Sequence, residues 1–211
     1  MASRAYSPKD VAQIKHKVLP FEGIWKDVFG NPEQGDTWFI SGASASGKSS
    51  FVMQLCKMLC GLGNVLYVSL EEGVGVSMQN RLKAFKMDEV QGHFRIITDD
   101  NIDHLEARLA KRKSPMFIVV DSYQYAYDAG WEYLKTRALI ERFKKKTFIF
   151  ISQEEKSSKP LGKPAIRLKY LAGVKVRTHG LRAYCQGRYA TNPGAYFSIW
   201  KDKEVEIYNE T

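Results

Sequence analysis

Eight consecutive residues, Gly42-Ala43-Ser44-Ala45-Ser46-Gly47-Lys48-Ser49, spell Gly-x-x-x-x-Gly-Lys-Ser directly after the apolar run Thr37-Trp38-Phe39-Ile40. A loop of this kind binds phosphate because its glycines let backbone N–H groups turn inward around an anion. Its lysine reaches the outer phosphates, and the following hydroxyl ligates Mg²⁺. The pattern points to a nucleoside triphosphate, with Gly42, Ser44, Ala45, Ser46, Gly47, Lys48, Ser49 and Ser50 as contact positions. A Gly/Ser-rich turn capping a helix is the plainer reading. Context argues against it, since Phe51, Val52, Leu55 and Leu59 recur at helical spacing and make the loop open a helix with one buried face.

Two further carboxylate positions fit the same chemistry. Asp121 ends the apolar run 117–120, where a strand-terminal carboxylate emerges beside the phosphate loop and can hold Mg²⁺. Glu71 and Glu72 follow the second apolar run, and a carboxylate there can polarise the water that attacks a γ-phosphate.

The elements that must position these residues alternate. Strands are expected at 64–70, 94–97, 116–121 and 147–151. Helices between them are marked by Met78, Leu82 and Phe85, by Ile102, Leu105 and Leu109 (capped by Asp100 or Asn101), and by Trp131, Leu134 and Phe143. Apolar strands alternating with helices imply right-handed crossovers and a parallel sheet covered on both faces. Past residue 170 the runs at 174–177, 181–184, 195–200 and 204–208 are short and separated by turn residues, so they read as antiparallel strands. Residues 1–35, broken by Pro20, Gly23, Gly30, Pro32 and Gly35, read as an N-terminal extension to one domain spanning 36–211.

Composition bounds the class. The chain has 211 residues, 44% apolar and 26% charged, which suits one globular domain. No apolar run nears the roughly 20 residues of a membrane span, and Met1-Ala2-Ser3-Arg4 leads into polar sequence, so a soluble, cytoplasmic protein without membrane partners is expected. Cys56, Cys60 and Cys185 are expected reduced, and the four histidines lack the spacing of a zinc site. The net charge of +9 is uneven: from Lys156 to Lys201 there are ten basic residues and no acidic one. Such a segment is either a solvated face or a surface for a polyanion such as nucleic acid.

Taken together, these motifs resemble the RecA-like branch of P-loop ATPases, the group of RadA, the DnaB-type helicase core and KaiC, over residues 36–208. The resemblance implies a RecA-like α/β fold, ATP and Mg²⁺ as ligands, and a homo-oligomeric ring or filament. Tyr67-Val68-Ser69-Leu70-Glu71-Glu72-Gly73 is similar to the stretch carrying the catalytic glutamate, at Glu71. Val119-Val120-Asp121-Ser122-Tyr123-Gln124 is similar to the family's Asp-Ser segment that positions magnesium, at Asp121, and Ile151-Ser152-Gln153 to the γ-phosphate sensor, at Gln153. Gln186-Gly187-Arg188-Tyr189 resembles the Lys-Asn-Arg segment whose arginine, here Arg188, reaches a neighbouring subunit's γ-phosphate; Gln186 departs from the lysine.

The resemblance also implies that loops after the Asp121 and Gln153 strands face nucleic acid, single-stranded DNA first. The second loop offers Lys156, Lys159, Lys163 and Arg167; the first contains Tyr123, Tyr125, Tyr127, Trp131 and Tyr133, aromatics able to stack on bases, although some are expected in the core, Trp131 because it lies on the apolar stripe of the following helix. The function expected is an ATPase of recombination, repair or replication. The alternatives are a nucleotide-gated adaptor or loader with slow hydrolysis and, fitting less well, a small-molecule kinase. About 36 residues ahead of the loop leave no room for a helicase collar or a zinc module, which favours an accessory ATPase.

Overall fold

The computed structural model describes residues 4–98, 101–126, 130–155, 158–190 and 192–209. Its strands are β1 (Trp38–Gly42), β2 (Val65–Ser69), β3 (Phe94–Thr98), β4 (Phe117–Asp121), β5 (Thr147–Gln153), β6 (Val174–His179), β7 (Arg182–Cys185) and β8 (Tyr196–Ser198). They form one eight-stranded sheet in the order β3-β2-β4-β5-β1-β6-β7-β8. The first six strands run parallel, and β7 and β8 add an antiparallel edge.

The helices are α1 (Pro8–Gln13), α2 (Gly23–Phe29), α3 (Lys48–Cys60), α4 (Val76–Ala84), α5 (Ile102–Leu109), α6 (Tyr123–Ala126), α7 (Tyr133–Arg142), α8 (Lys163–Leu171) and α9 (Lys201–Asn209). Strands β1, β2 and β4 are buried from end to end, as crossover helices on both faces require. Alternate residues sort to opposite cores. Trp38, Ile40, Val65, Tyr67, Val119 and Ile149 pack with Phe51, Val52 and Leu55 of α3. Phe39, Leu66, Val68, Val120 and Phe150 pack with α5, α7 and α8.

Three sequence expectations change. Residues 204–208 are part of helix α9, not a strand. The alternation of Glu204, Val205, Glu206 and Ile207 suggested a half-buried strand, but Glu204 is the buried member, held by Arg182 Nε at 2.6 Å. The helix leading into β5, α7, starts at Tyr133. Trp131 is buried ahead of it, Leu134 is exposed, and the inward stripe is Thr136, Leu139 and Ile140. Lys163 and Arg167 lie on helix α8 and not in a loop.

Asn101 caps α5 by accepting from the His104 N–H, while Asp100 lies outside the described residues. Within the first 35 residues, Leu19, Phe21, Val28 and Phe29 are buried against β1 and α3, with Phe29 5.9 Å from Trp38 and 5.7 Å from Phe51 between ring centroids. Cys56 and Cys60 are buried free thiols, held well above the usual thiol range by burial.

Candidate functional site

The strand order brings separate motifs to one edge. In register, Gly42 at the end of β1 lies between Gln153 of β5 and Thr178 of β6, while Asp121 at the end of β4 pairs with Ser69 of β2, two residues before Glu71. All are at the carboxyl ends of parallel strands, where open α/β sheets bind ligands.

Between β1 and α3 the chain turns through Ala45 (φ 60°) and Gly47 (φ 93°), left-handed residues of the kind that aim successive amide N–H groups to one side and favour an anion. Gly42 is a close approach: a Cβ there would sit 2.2 Å from the Thr178 hydroxyl and 2.6 Å from Ser46 Oγ. Those two hydroxyls are themselves hydrogen-bonded at 2.7 Å, so β6 braces the loop from behind. Leu181 and Ile199, from the antiparallel edge, close over Gly47.

Lys48 donates to the Gly42 and Ala43 carbonyls at 2.9 and 2.7 Å. Burial lowers its pKa, partly offset by the carboxylates of Asp121, Glu71 and Glu154. Three acids thus sense the same ammonium.

Asp121 is 9% exposed and accepts a hydrogen bond from the Tyr67 hydroxyl of β2. Burial pushes its carboxyl up to about 6, Tyr67 opposes the shift, and neighbouring Glu71 adds to it. The Asp121 carbonyl takes the Leu70 N–H at 2.7 Å, and Ser122 Oγ donates to Glu71 Oε2 at 2.7 Å. The loop bearing Glu71 is therefore tied to the end of β4. Glu72 instead pairs with Arg81 at 2.6 Å.

The backbone N–H of Gln153 donates to Gln124 Oε1 at 3.0 Å, linking the ends of β4 and β5. Next to it, buried Glu154 accepts from Ser41 Oγ at 2.9 Å and from Arg177 Nε at 3.1 Å. Tyr67, Gln124, Glu154 and Thr178 were not found by sequence reasoning. Tyr67 and Thr178 lie inside ordinary strand patterns and give no local signal. Glu154, an acid directly after a buried strand, was the one visible hint.

Arg188 is exposed at the opposite edge. Its N–H bonds the Gly173 carbonyl, one residue before β6 begins, so the length of β6 separates it from its own phosphate loop. That is about 15–20 Å of strand, too far for the Arg188 side chain to reach its own phosphate loop. Lys159, Lys163 and Arg167 are exposed, and the Arg167 guanidinium lies 5.7 Å from the Tyr133 ring. Lys156 and Tyr127 lie outside the described residues. Tyr123 and Trp131 are core side chains, unable to stack on bases, whereas Tyr125 is exposed. Among the described residues no cluster of His, Cys, Asp or Glu has the makings of a multi-ligand metal centre. No helix among them is long and apolar enough to cross a membrane.

The strand order, its flanking helices and the loop between β1 and α3 give the chain a RecA-like α/β fold, the fold of the solved structures it resembles. The flagellar accessory protein FlaH from Methanocaldococcus jannaschii superposes with a TM-score of 0.58 at 17% identity, covering 87% of this chain and 92% of its own. A KaiC-like protein from Pyrococcus horikoshii does so with a TM-score of 0.58 at 19% identity, covering 85% and 90%. At those identities the likeness is one of fold.

In sequence, the DNA repair protein RadA of Streptococcus pneumoniae is 31% identical over 90 residues, 43% of this chain and 20% of RadA. RadA of a Streptococcus pyogenes M6 strain is 28% identical over 124 residues, 58% of this chain and 26% of its own. The match thus spans a fifth to a quarter of these relatives' length. No protein-family description matches the chain.

Proposed function

We propose that this chain is a Mg²⁺-dependent ATPase that works on nucleic acid as a homo-oligomer, in the DNA repair setting that the name of its RadA relatives suggests. The observation that carries the reading is the convergence of Lys48, Asp121 and Glu71 at one sheet edge, where both acids partly offset the lowering of the Lys48 pKa by burial. The donor set suits the hard cation: a hydroxyl at Ser49 and a carboxylate at Asp121, both oxygen ligands. When bound, Mg²⁺ would be held by these two and would neutralise charge developing on the phosphates.

The chain's own groups have distinct tasks. The loop amides and Lys48 hold the phosphates. Glu71, exposed and steadied by Ser122, accepts the proton of the attacking water. Gln153, in register with Gly42, reports the γ-phosphate, and its link to Gln124 passes that state to the segment after β4. Arg188 completes the charge stabilisation across a subunit interface. Lys159, Lys163 and Arg167 follow the nucleic-acid backbone.

Steady-state ATP hydrolysis with and without single-stranded DNA, at two salt concentrations and with Lys48→Ala as the blank, tests this. Stimulation that weakens with salt is expected. Glu71→Gln is expected to bind nucleotide and lose turnover; undiminished turnover would remove Glu71 from the mechanism. Nucleotide binding with no DNA stimulation would favour the adaptor with a protein partner.

A further inference from the structure

The edge of the sheet opposite the phosphate loop carries a second concentration of positive charge. Lys111-Arg112-Lys113 lies in the turn between α5 and β4, and Lys144-Lys145-Lys146 in the turn between α7 and β5. β4 and β5 are adjacent, with Phe117 opposite Thr147, so the two triplets are neighbours in space. Between residues 107 and 120, and again between 142 and 153, there is no acidic residue.

Both turns are held rigid. Lys146 Nζ donates to Ser114 Oγ and to the Pro115 carbonyl, each at 2.7 Å, stapling one turn to the other. The Thr147 N–H bonds the Met116 carbonyl, and the Met116 N–H bonds the Asn64 carbonyl at the start of β2. From the other side, Gln34 Nε2 donates to the Lys145 carbonyl at 3.1 Å, and the Gly35 backbone lies against the Lys144 carbonyl. On this frame Lys111, Arg112, Lys113, Lys144 and Lys145 are exposed, and none has an acid partner among the described residues. Nearby Arg142 is neutralised by Glu106. Further along the edge, Arg95 of β3 borders a groove of about 620 Å³ with Asn64, His93 and Ser114.

Cations near helix C-termini favour the dipole, worth only a few tenths of a kcal/mol to about 1 each. That accounts for a basic residue at each helix end but not for repeated triplets on adjacent braced turns. From β3 to β5 the row crosses three strand spacings, about 14 Å. A nucleic-acid strand presents about four phosphates over that length. An acidic membrane fits less well, because neither turn exposes a large apolar side chain for insertion.

We infer that the β4–β5 amino edge, through Lys111, Arg112, Lys113, Lys144 and Lys145, is a second docking site for a nucleic-acid phosphate backbone, distinct from the β5–α8 segment at the nucleotide edge. It rests on the nucleic-acid reading above. The test is fluorescence anisotropy of a labelled thirty-nucleotide oligothymidine and of a duplex, across a salt series. It compares wild type, the edge variant K111Q/K113Q/K144Q/K145Q, the loop variant K159Q/K163Q/R167Q, and a charge-matched control, K83Q/K86Q/K201Q/K203Q, placed elsewhere on the surface.

The edge variant is expected to bind single strands up to about 10²-fold more weakly at roughly 0.1 M salt, with a log–log salt slope shallower by up to about 3. The control is expected to shift far less. Lysine acetylation of the unmodified wild type, read by mass spectrometry, is expected to show Lys111, Lys113, Lys144 and Lys145 protected by oligothymidine, which does not depend on any variant folding. Wild-type affinity and slope in the edge variant, loss in the loop variant and no protection at these lysines would overturn this inference and leave the functional reading standing. No binding by wild type would remove both. Binding to phosphatidylserine vesicles but not to oligonucleotide would assign the edge to a membrane and overturn it.

Discussion

Replacing Asp121 by Asn is expected to make the metal-free, nucleotide-free protein more stable while removing its magnesium response. Burial raises the Asp121 carboxyl from 3.8 to about 6. A carboxyl with a folded pKa above its unfolded one binds protons on folding. Its ionisation penalty is therefore absent below pH about 4, grows between there and about 6, and is full above. The shift of about two units corresponds to about 3 kcal/mol at pH 8. Asn keeps the shape and an oxygen to accept the Tyr67 hydroxyl, and carries no charge. For a chain of this size 1 kcal/mol moves Tm by about 2–4 °C, so D121N should melt roughly 6–12 °C higher at pH 8. The assay is thermal unfolding by circular dichroism in EDTA at pH 8, 6.5, 5 and 4, with a urea series at the two ends. The gap should shrink as pH falls and close near pH 4. A lower Tm for D121N at pH 8, or a gap that ignores pH, would refute the reasoning that the site holds its carboxylate at a cost.

Two other substitutions probe the same edge. Tyr67→Phe removes the hydroxyl donor to a buried carboxylate, an interaction of about 1.5–3 kcal/mol, so Asp121 should titrate about 1–2 units higher. The pH at which Mg²⁺-dependent nucleotide binding is half-maximal should rise by a similar amount, and an unmoved profile would restrict Tyr67 to packing. Gly42→Ala places a methyl group 2.2 Å from the Thr178 hydroxyl and should weaken binding of a fluorescent ATP analogue at least tenfold. Adding Thr178→Ala should restore part of it, and no rescue would show that the clash lies elsewhere.

The phosphate loop was legible because its chemistry is local: eight contiguous residues specify turn, charge and hydroxyl at once. The parallel core was legible because strands buried on both faces must be apolar throughout, as β4 is. The C-terminal end was harder. Residues 204–208 alternate like a strand, and only the buried Glu204–Arg182 pair, reaching across to β7, makes them helical in context. Tyr123 looked like a stacking aromatic, yet it packs edge-on against Phe150, while Trp131, expected in the core from its place on a helical stripe, is wholly buried. Their fate depends on how α7 lies on the sheet.

Local chemistry determined that residues 42–49 spell a phosphate-loop motif, that the core alternates strand and helix, that Asp121 ends a strand and that Glu71 follows one. Tertiary structure decided what those residues meet. Strand order set Gly42 between Gln153 and Thr178, and it buried Asp121 under the Tyr67 hydroxyl. It sent Arg188 to the far edge and joined two distant lysine triplets into one surface. The physical reason is one of range: turn geometry and side-chain type act over a few bonds and are written in consecutive residues. Pairing, burial and electrostatic coupling instead join residues tens of positions apart, which only the packed sheet brings within reach.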